Sequence, residues 1–387
     1  MSLIKSFYGI DSEFFKKANC NLTSHEIAHQ PEMWLRLCDM LKENEAKVKG
    51  FVERFGIEGR RIILTGAGSS GFIASAVSCY VAESFGVLSE AIHTTDIVSA
   101  PRAYIKDTPT LLISFARSGN SPESVGAVQV CRKLVSDLVE VTIVCDGTSK
   151  LSICTKESDK SLLLVMPDGT NDKGFAATSS VSSKILAGFA VFGISNLSAI
   201  INDINILSEY VKKSSQSLAK TAQDVANLGN ERLWYIGSGA AQALMREGAL
   251  KTMELTNGKI VAGSNNSPEF RHGPKTVINR NAATIHFVSS NSYTAKYDKD
   301  LLDEIIREKD GNKVVSITDK ICLSDYSVKY DVSDFGVLKH VATGLFALVF
   351  MQMLSVFASI KLGVPTDNPS PSGLVNRVVQ GVNIHPF

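Results

Sequence analysis

Three charged residues at helical spacing are the first candidates for chemistry in this chain. The stretch REGALKTMEL contains Glu247, Lys251 and Glu254, at positions i, i+4 and i+7. In a helix this spacing places two carboxylates around one ammonium on a single face. A solvated ion-pair face would show the same spacing. The small and apolar residues between the charges favour instead a functional cluster, in which a carboxylate takes and returns a proton.

A histidine lies downstream in the segment SPEFRHGPK. His272 is followed by Gly273 and Pro274, and proline stiffens a loop because its ring fixes the backbone φ angle. Imidazole exchanges protons near neutral pH, so this residue type suits a proton shuttle. We therefore expect His272 to take part in acid–base chemistry.

A hydroxyl-rich turn follows an apolar run in LLISFARSGNSPES, residues 111–124. The run is typical of a parallel strand that is buried on both faces, and Pro122 suits the start of a helix. Between them lie Ser118, Asn120 and Ser121. Hydroxyl groups at a helix N-terminus favour a bound anion such as phosphate. A ligand-free turn rich in cap-forming serines has the same composition.

A second turn of this kind is GAGSSG, residues 66–71, which contains Ser69 and Ser70. It matches the G-x-G-x-x-G fingerprint of dinucleotide-binding proteins. That fingerprint also requires an acidic residue after the next strand, for which Asp96 is a poor fit, and the repeated copy GSGAAQ lacks the third glycine. A phosphate site explains both serine-rich turns, so we expect no nicotinamide cofactor.

Three pairs of segments repeat at nearly one offset, which indicates duplication of a whole domain. RRIILTGAGSSGFIASAVSCYV resembles ERLWYIGSGAAQALMREGALKTME at an offset of 171 residues. TLLISFARSGNS matches ATIHFVSSNSYT at 172 when Ser118 is aligned with Ser290, and VEVTIVCD matches NKVVSITD at 173. Alternating strands and helical stretches predict an α/β fold, with a doubly wound parallel sheet and helices on both faces in each half. We predict a helical segment at 1–50, a first domain at 51–205, a second at 215–364 and a tail at 365–387.

The net charge and the cysteine content argue against several classes of function. The 387 residues carry a net charge of +1, which gives no support for a nucleic-acid or anionic-membrane partner. Seven scattered cysteines without C-x-x-C spacing indicate reduced thiols and no structural zinc. The start of the chain has no apolar segment typical of a secretory signal, so we expect a cytoplasmic protein.

Two further motifs favour plain structural interpretations. HEIAH, residues 25–29, matches the zincin pattern H-E-x-x-H, but Thr23 and Glu26 also match a capping box at a helix N-terminus. We therefore expect no metal. The segment from Val341 to Ile360 is uncharged and about long enough to span a bilayer. Its position near the end of an α/β chain favours a buried core or interface helix.

Taken together, these segments resemble a known family. The duplicated strand, serine loop and helix, with SFARSGNSPES, EGALKTMEL and FRHGPK, resemble the double sugar isomerase (SIS) domain family. The isomerase half of glucosamine-6-phosphate synthase has similar motifs. EIAHQPEMW and NPSPSGLVNRVVQGVNIHP resemble the galactosamine-6-phosphate deaminase/isomerases, once named tagatose-6-phosphate ketose/aldose isomerases. The resemblance implies two flavodoxin-like SIS domains, a homodimer, and no metal or redox cofactor.

The resemblance also implies a role for each candidate residue. Glu254 would move a proton between C1 and C2 of the sugar, Lys251 would assist it, and His272, which in this family can come from the neighbouring subunit, would open the ring. Asp172 and Phe175, in DGTNDKGFAATSS, would line the substrate. The sugar phosphate would be held by the two serine-rich turns, through Ser69, Ser70, Ser118, Asn120 and Ser121.

This chain departs from the pattern of glucosamine-6-phosphate synthase in two ways, and both affect which reaction we expect. Where the synthase has a lysine that forms a Schiff base, this chain has Asn376 beside Arg377, which argues against a carrier lysine. No glutaminase-like segment precedes the first half, so nitrogen would leave as free ammonia. We therefore expect conversion of galactosamine 6-phosphate to tagatose 6-phosphate and ammonia. Two alternatives stay open: a ketose/aldose isomerase without deamination, and a sugar-phosphate-binding regulator, although residues 1–50 contain no basic DNA-binding module.

Overall fold

A computed structural model describes residues 6–308, 310–379 and 381–387. Up to residue 192, the elements are β1 (Ser6–Phe7), β2 (Ile10–Asp11), α1 (Ser12–Lys17), α2 (Asn21–Ala28), α3 (Gln30–Phe55), β3 (Arg61–Thr65), α4 (Ser69–Phe85), β4 (Glu90–Ala91), α5 (Thr94–Ser99), α6 (Pro101–Tyr104), β5 (Thr110–Ala116), α7 (Pro122–Leu134), β6 (Leu138–Val144), α8 (Lys150–Lys156), β7 (Ser161–Val165) and α9 (Ser179–Phe192).

The later elements repeat the same alternation of strands and helices. They are α10 (Leu197–Asn227), β8 (Arg232–Ile236), α11 (Ala241–Leu255), β9 (Val261–Asn265), α12 (Ser267–Phe270), β10 (Ala282–Phe287), α13 (Thr294–Glu308), β11 (Lys313–Asp319), β12 (Tyr326–Tyr330) and α14 (Lys339–Lys361). Short 3₁₀ helices occur at Ile194–Asn196 and Pro274–Val277.

The chain divides into two compact units, and neither is one continuous segment. The first-sheet unit consists of Glu32–Asp172, Ser179–Ile201 and Val375–Phe387. The second-sheet unit consists of Met1–Pro31, Lys173–Thr178 and Asn202–Leu374. Along the chain, the residues between the two sheets form the long helix α10.

Each unit is built on a five-stranded sheet with the same strand order. The orders are β4-β3-β5-β6-β7 and β9-β8-β10-β11-β12, and every pairing within them is parallel. Numbered within its own half, each sheet therefore has the order 2-1-3-4-5 of flavodoxin-like folds. The three repeated sequence segments supply β3, β5 and β6 in one sheet and β8, β10 and β11 in the other, which confirms the duplication and the predicted α/β fold.

The helices of the first-sheet unit fall into two groups. The reason is the strand order, in which β4 lies on one side of β3 and β5, β6 and β7 lie on the other. Helix α4 packs with α9, whereas α7 packs with α5 and α8. Right-handed crossovers in the two directions place helices on opposite faces of a parallel sheet. Covered on both faces, β5 and β6 are buried at every position, which explains their nearly continuous apolar sequences.

Helix α14 is the apolar segment that has the composition of a membrane span. Among the described residues it is the single helix long and apolar enough to cross a bilayer, and its apolar window is entirely buried within the protein. It packs against α11 and α2. The Gln352 side chain within it accepts a 2.8 Å hydrogen bond from Gln30 Nε2, so a polar group in this core is satisfied.

Candidate active site

The two serine-rich turns lie side by side at the carboxyl edge of the first sheet. One turn connects β3 to α4 and the other connects β5 to α7, and β3 pairs directly with β5 in parallel register. Strand β3 is also where the strand order reverses direction. Ligands of open α/β sheets bind outside the carboxyl ends of strands at such a switch point. Ser70 is buried there, and Ser69 is half-buried.

The turn after β5 is held in shape by its own hydrogen bonds. Ser118 Oγ accepts from the backbone N–H of Asn120 at 3.3 Å, and Asn120 Nδ2 donates to the Ser118 carbonyl at 3.1 Å. Asn120 Oδ1 also accepts from the backbone N–H of Lys150 at 3.1 Å. Ser121 Oγ lies 2.7 Å from Ser124 Oγ. The hydroxyl groups are therefore positioned before any ligand arrives.

Gly119 makes this turn possible. Its φ angle is +63°, in the left-handed region that favours glycine. A Cβ atom at this position would lie 2.2 Å from Ser149 Oγ. Any other residue type would be strained at this φ angle and would have to displace the Ser149 side chain, so glycine allows the loop of Ser118 and Asn120 to lie close to the start of α8.

A buried lysine that the sequence analysis missed lies beside Ser70. Lys184, in the middle of α9, is 1% exposed, and its Nζ donates to Ser70 Oγ at 3.4 Å. Burial raises the pKa of the neighbouring Cys145 thiol, while the charges of Lys184 and Arg117 act to lower it. The signal in the sequence was a single cation in an otherwise uncharged helix.

Asp172 has a clear structural role at the start of α9. Its buried carboxylate accepts from the Ser179 N–H at 3.1 Å, from Ser179 Oγ at 2.5 Å and from the Ser180 N–H at 3.0 Å. A carboxylate suits a helix N-terminus because it satisfies N–H groups there and complements the helix dipole. Phe175, the other residue predicted in this loop, is half-buried.

The capping-box interpretation of Thr23 and Glu26 was wrong. Helix α2 begins at Asn21, so both residues lie inside it, and the Asp367 carboxylate caps its N-terminus by accepting from the Leu22 and Thr23 N–H groups, at 2.9 Å each. The Glu26 carboxylate accepts instead from the backbone N–H of Lys173 at 2.5 Å and of Gly174 at 3.0 Å. Glu26 therefore holds the backbone of the segment that carries Phe175.

The C-terminal tail is fastened to the first-sheet unit through arginines. Arg117, in the turn after β5, donates through Nη2 to the carbonyl of Arg377 at 2.7 Å. The Arg377 guanidinium in turn donates to the carbonyl of Asp172. Asn376, which aligns with the synthase lysine, is exposed.

The second-sheet unit brings the predicted charge cluster together on α11. Lys251 Nζ lies 3.3 Å from Glu247 Oε1 and also donates to the Glu254 carboxylate. The side chains of Lys251 and Glu247 are fully buried, whereas that of Glu254 is 26% exposed. Glu254 is therefore the carboxylate of the cluster that a ligand can reach, and the buried ammonium fixes its position.

His272 lies in an anchored loop of the second-sheet unit. Its backbone N–H donates to the Glu269 carbonyl at 2.9 Å, immediately after α12, and the residue is exposed. Arg271 and Lys275, on either side of it, both pair with Glu304 on α13, at 2.8 and 2.5 Å. These ion pairs hold the loop while the imidazole stays accessible. No group of three His, Cys, Asp or Glu side chains that could hold a metal occurs in the described part of the chain.

Comparison with known proteins identifies the family. The SIS domain model matches residues 57–192. The D-galactosamine-6-phosphate deaminase AgaS of Shewanella sp. (strain ANA-3) is 34% identical over 94% of this chain and 92% of its own length.

Two solved structures are similar over nearly the whole chain. One is a putative tagatose-6-phosphate ketose/aldose isomerase from Clostridium novyi NT, with 36% identity, a TM-score of 0.94, and coverage of 99% of this chain and 100% of that one. The other is the tagatose-6-phosphate ketose/aldose isomerase from Escherichia coli, with 32% identity, a TM-score of 0.85, and coverage of 95% and 96%. This chain therefore belongs to the SIS-domain family that contains the galactosamine-6-phosphate deaminases and tagatose-6-phosphate ketose/aldose isomerases, as the resemblance predicted.

Proposed function

We propose that this protein converts D-galactosamine 6-phosphate and water to D-tagatose 6-phosphate and ammonia. The observation that carries the proposal is the Glu254 carboxylate, partly exposed and held by the buried Lys251. A positioned carboxylate of this kind suits proton transfer at carbon, which both deamination and aldose–ketose isomerisation require. The name of the Shewanella relative supports galactosamine 6-phosphate as the substrate.

The substrate phosphate is bound by the two turns at the carboxyl edge of the first sheet. Hydroxyl and amide groups there suit a phosphate because they donate hydrogen bonds to its oxygens at the starts of two helices, α4 and α7. The residues of this proposed subsite are Ser69, Ser70, Ser118, Asn120 and Ser121.

The chemistry then proceeds by proton transfers at C1 and C2. His272 assists opening of the sugar ring, and Glu254 removes the C2 proton of the open-chain aldehyde. Glu254 returns a proton to C1, which leaves a C1 hydroxymethyl group and a C2 imine. Water adds to C2, the C–N bond breaks, and nitrogen leaves as ammonia while C2 becomes the ketone. Lys251 keeps Glu254 in place, and Asp172 and Phe175 contribute to the sugar-binding loop.

A second candidate is ketose/aldose isomerisation without loss of nitrogen. The names of the two similar solved structures favour it. It uses the same proton transfer between C1 and C2, but its substrate carries a hydroxyl group at C2 and no ammonia forms. The charge cluster on α11 serves both reactions, so only the substrate distinguishes them.

An ammonia assay separates the candidates. Galactosamine 6-phosphate and glucosamine 6-phosphate are supplied side by side, and ammonia and ketose phosphate are measured together. Equal amounts of ammonia and tagatose 6-phosphate from the galacto substrate are the expected result. Interconversion of tagatose 6-phosphate with its aldose, without ammonia from either amino sugar, would establish the second candidate in place of the first.

We further propose that the enzyme is a cytoplasmic homodimer and that its deaminating reaction is hydrolytic. The dimer rests on the family resemblance, and the cytoplasm on the cysteines, all seven of which are free thiols. Light scattering after size-exclusion chromatography checks the dimer, because a mass near 41.8 kDa would indicate a monomer instead.

A further inference from the structure

The segment Lys173–Thr178 depends on side chains for its position. It lies between β7 and α9, outside any helix or strand. The chain on both sides of it belongs to the first-sheet unit, whereas this segment belongs to the second-sheet unit. Backbone N–H groups outside regular structure need other acceptors when they are buried. The groups that accept hydrogen bonds from this segment therefore decide where Phe175 lies.

Glu26 supplies those acceptors from helix α2. Its Oε1 accepts from the Lys173 N–H at 2.5 Å and from the Gly174 N–H at 3.0 Å, and its Oε2 lies 3.2 Å from the same Gly174 nitrogen. Glu26 is 5% exposed. Hydrogen bonds to an ionised carboxylate are stronger than those between neutral groups. One buried side chain therefore holds two consecutive peptide groups of the segment.

Gly174 is the residue that permits this close approach. A Cβ atom there would lie 2.7 Å from Glu26 Oε2 and 3.3 Å from Thr23 Oγ1. The first distance is shorter than van der Waals contact allows, so a larger residue would push the segment away from α2. The sequence thus contains both halves of the contact, the carboxylate and the glycine that lets the backbone reach it.

Helix α2 is itself fixed in the second-sheet unit, so its glutamate is a stable anchor. The helix packs against α14. The Asp367 carboxylate accepts from the Leu22 and Thr23 N–H groups at its start, at 2.9 Å each. Just past its end, Gln30 Nε2 donates to Gln352 Oε1 of α14 at 2.8 Å. A site is held more precisely when its supporting groups lie on such fixed elements.

We infer that Glu26 is a positioning residue for the sugar: by fixing the backbone of Lys173 and Gly174, it places Phe175 where the substrate binds. The inference rests on the proposed function, which assigns Phe175 to the sugar-binding loop. It gives the glutamate of the HEIAH motif a role that is neither a zinc-site base nor a helix cap. Affinity for the sugar phosphate should depend on Glu26, whereas affinity for phosphate alone should not, because the serine-rich turns belong to the first-sheet unit.

The test compares Glu26→Leu and Glu26→Gln with the wild type. Calorimetry gives the dissociation constants of galactosamine 6-phosphate and of inorganic phosphate, and steady-state kinetics give kcat and KM. We expect Glu26→Leu to raise the sugar-phosphate dissociation constant and KM by about tenfold to 100-fold, because hydrogen bonds to a charged group are lost. The inorganic-phosphate constant should stay within about twofold and kcat within about fivefold, since the phosphate turns and Glu254 are untouched. Glu26→Gln, whose amide oxygen still accepts hydrogen bonds, should lose less.

A stability control separates this role from a merely structural one. Asp367→Asn weakens the cap of the same helix without touching the segment. It should lower the free energy of unfolding but leave the sugar-phosphate dissociation constant within about twofold. Gly174→Ala disturbs the contact from the other side and should raise that constant as Glu26→Leu does. Because both changes break one contact, the double variant should lose little more affinity than the more severe single variant.

Two results would overturn the role of Glu26. One is a folded Glu26→Leu protein that binds galactosamine 6-phosphate within about twofold of the wild type. If Glu26→Leu does not fold, Gly174→Ala is judged by the same criterion. The other is an equal loss of affinity in Asp367→Asn, because the effect would then follow the stability of α2. Calorimetry needs no turnover, so a wild type that binds the sugar phosphate but releases no ammonia refutes the proposed deamination while Glu26 is still tested.

Discussion

The turn after β5 and the turn after β10 occupy the same position in two sheets of identical order, yet their polar groups are used differently. In the turn after β5, Ser118 and Asn120 hydrogen-bond mainly within the turn itself. In the turn after β10, Ser290 Oγ lies 2.7 Å from His340 Nδ1 and 3.1 Å from Thr343 Oγ1. The second turn is thus tied to the start of α14, and its serine serves the fold.

A buried carboxylate in the second half strengthens this contrast between the two sheets. Asp298, on α13, is buried and accepts from Ser238 Oγ at 2.7 Å, from Ser267 Oγ at 2.5 Å and from the Ser289 N–H at 3.0 Å. These donors lie in the turns after β8, β9 and β10, at the carboxyl edge of the second sheet. At the offset of 172 residues, the first half has Gly126 in place of Asp298. The second half therefore places its own carboxylate at this edge, whereas the first half has no side chain at the equivalent position.

The helices that follow the first strand of each sheet, α4 and α11, also differ, but here the second half carries the complete charge cluster. At the offset of 171 residues, the cluster Glu247, Lys251 and Glu254 on α11 corresponds to Ala76, Tyr80 and Glu83 on α4. Tyr80 is buried, and burial raises the pKa of its hydroxyl. In the proposed mechanism, one copy holds the substrate phosphate and the other moves protons.

The largest effect is expected from Glu254→Gln. Glutamine keeps the shape of the side chain but cannot accept a proton from carbon, and loss of a positioned base costs about 10²–10⁴-fold in rate. We expect kcat to fall by this amount while sugar phosphate still binds. Glu83→Gln, the equivalent exposed position of the first half, is the matched control and should keep wild-type kcat. A folded Glu254→Gln enzyme with near wild-type kcat would reduce the cluster to a structural ion pair.

A smaller loss, confined to one substrate form, is expected from His272→Asn. Loss of general acid–base assistance to ring opening should slow turnover of the cyclic sugar by about 10²-fold. A substrate analogue locked in the open-chain form bypasses that step and should lose far less. Steady-state kinetics on both substrates provide the measurement, and equal losses on the two would remove the ring-opening role.

Paired serine substitutions test the two turns directly. Ser118→Ala should weaken substrate binding by about 1–3 kcal/mol, since a charged partner loses a hydrogen bond. Ser290→Ala should leave KM unchanged and lower the free energy of unfolding, because Ser290 contacts His340 and Thr343 rather than a ligand. KM values and urea unfolding of both variants are the measurements. The contrast between the turns fails if both substitutions raise KM equally.

The smallest effect concerns Asp298 and pH. Burial raises the pKa of this carboxyl above its ordinary value of 3.8, even though hydrogen bonds from Ser267, Ser238 and Ser289 act to lower it. The folded state therefore binds the proton more tightly than the unfolded state. The resulting stabilisation is full below pH 3.8 and is lost as the pH rises through the folded-state pKa. We expect Asp298→Asn to lack this decline, so the two free energies of unfolding should diverge by at most about 1.4 kcal/mol per pH unit. The measurement is urea unfolding of the wild type and of Asp298→Asn from pH 4 to 7. Parallel curves of unfolding free energy against pH would show that the pKa of Asp298 is not raised in the folded state.

The features that could be predicted from the sequence are those that depend on local spacing or on the internal repeat. The spacing of Glu247, Lys251 and Glu254 needs only helical geometry, and the duplicated sheet is visible because strands and turns recur at one offset. Lys184 was missed because its position beside the serine-rich turn is visible only from its contact with Ser70, which is 114 residues away in the chain. The capping box failed for the same reason, since Thr23 Oγ1 donates to the Asp367 carboxylate, 344 residues distant.

Helix α14 has a consequence for how the protein is made. It is synthesised after every other helix and strand of the second-sheet unit, yet α11 and α2 both pack on it. Gly248 on α11 shows how close that packing is, because a Cβ there would lie 2.5 Å from Met351 Sδ. Until the ribosome has released residues 339–361, the second-sheet unit lacks the centre of its core. Folding of this unit therefore waits for the synthesis of α14, and a nascent chain stopped before α14 exposes the apolar surface that chaperones recognise.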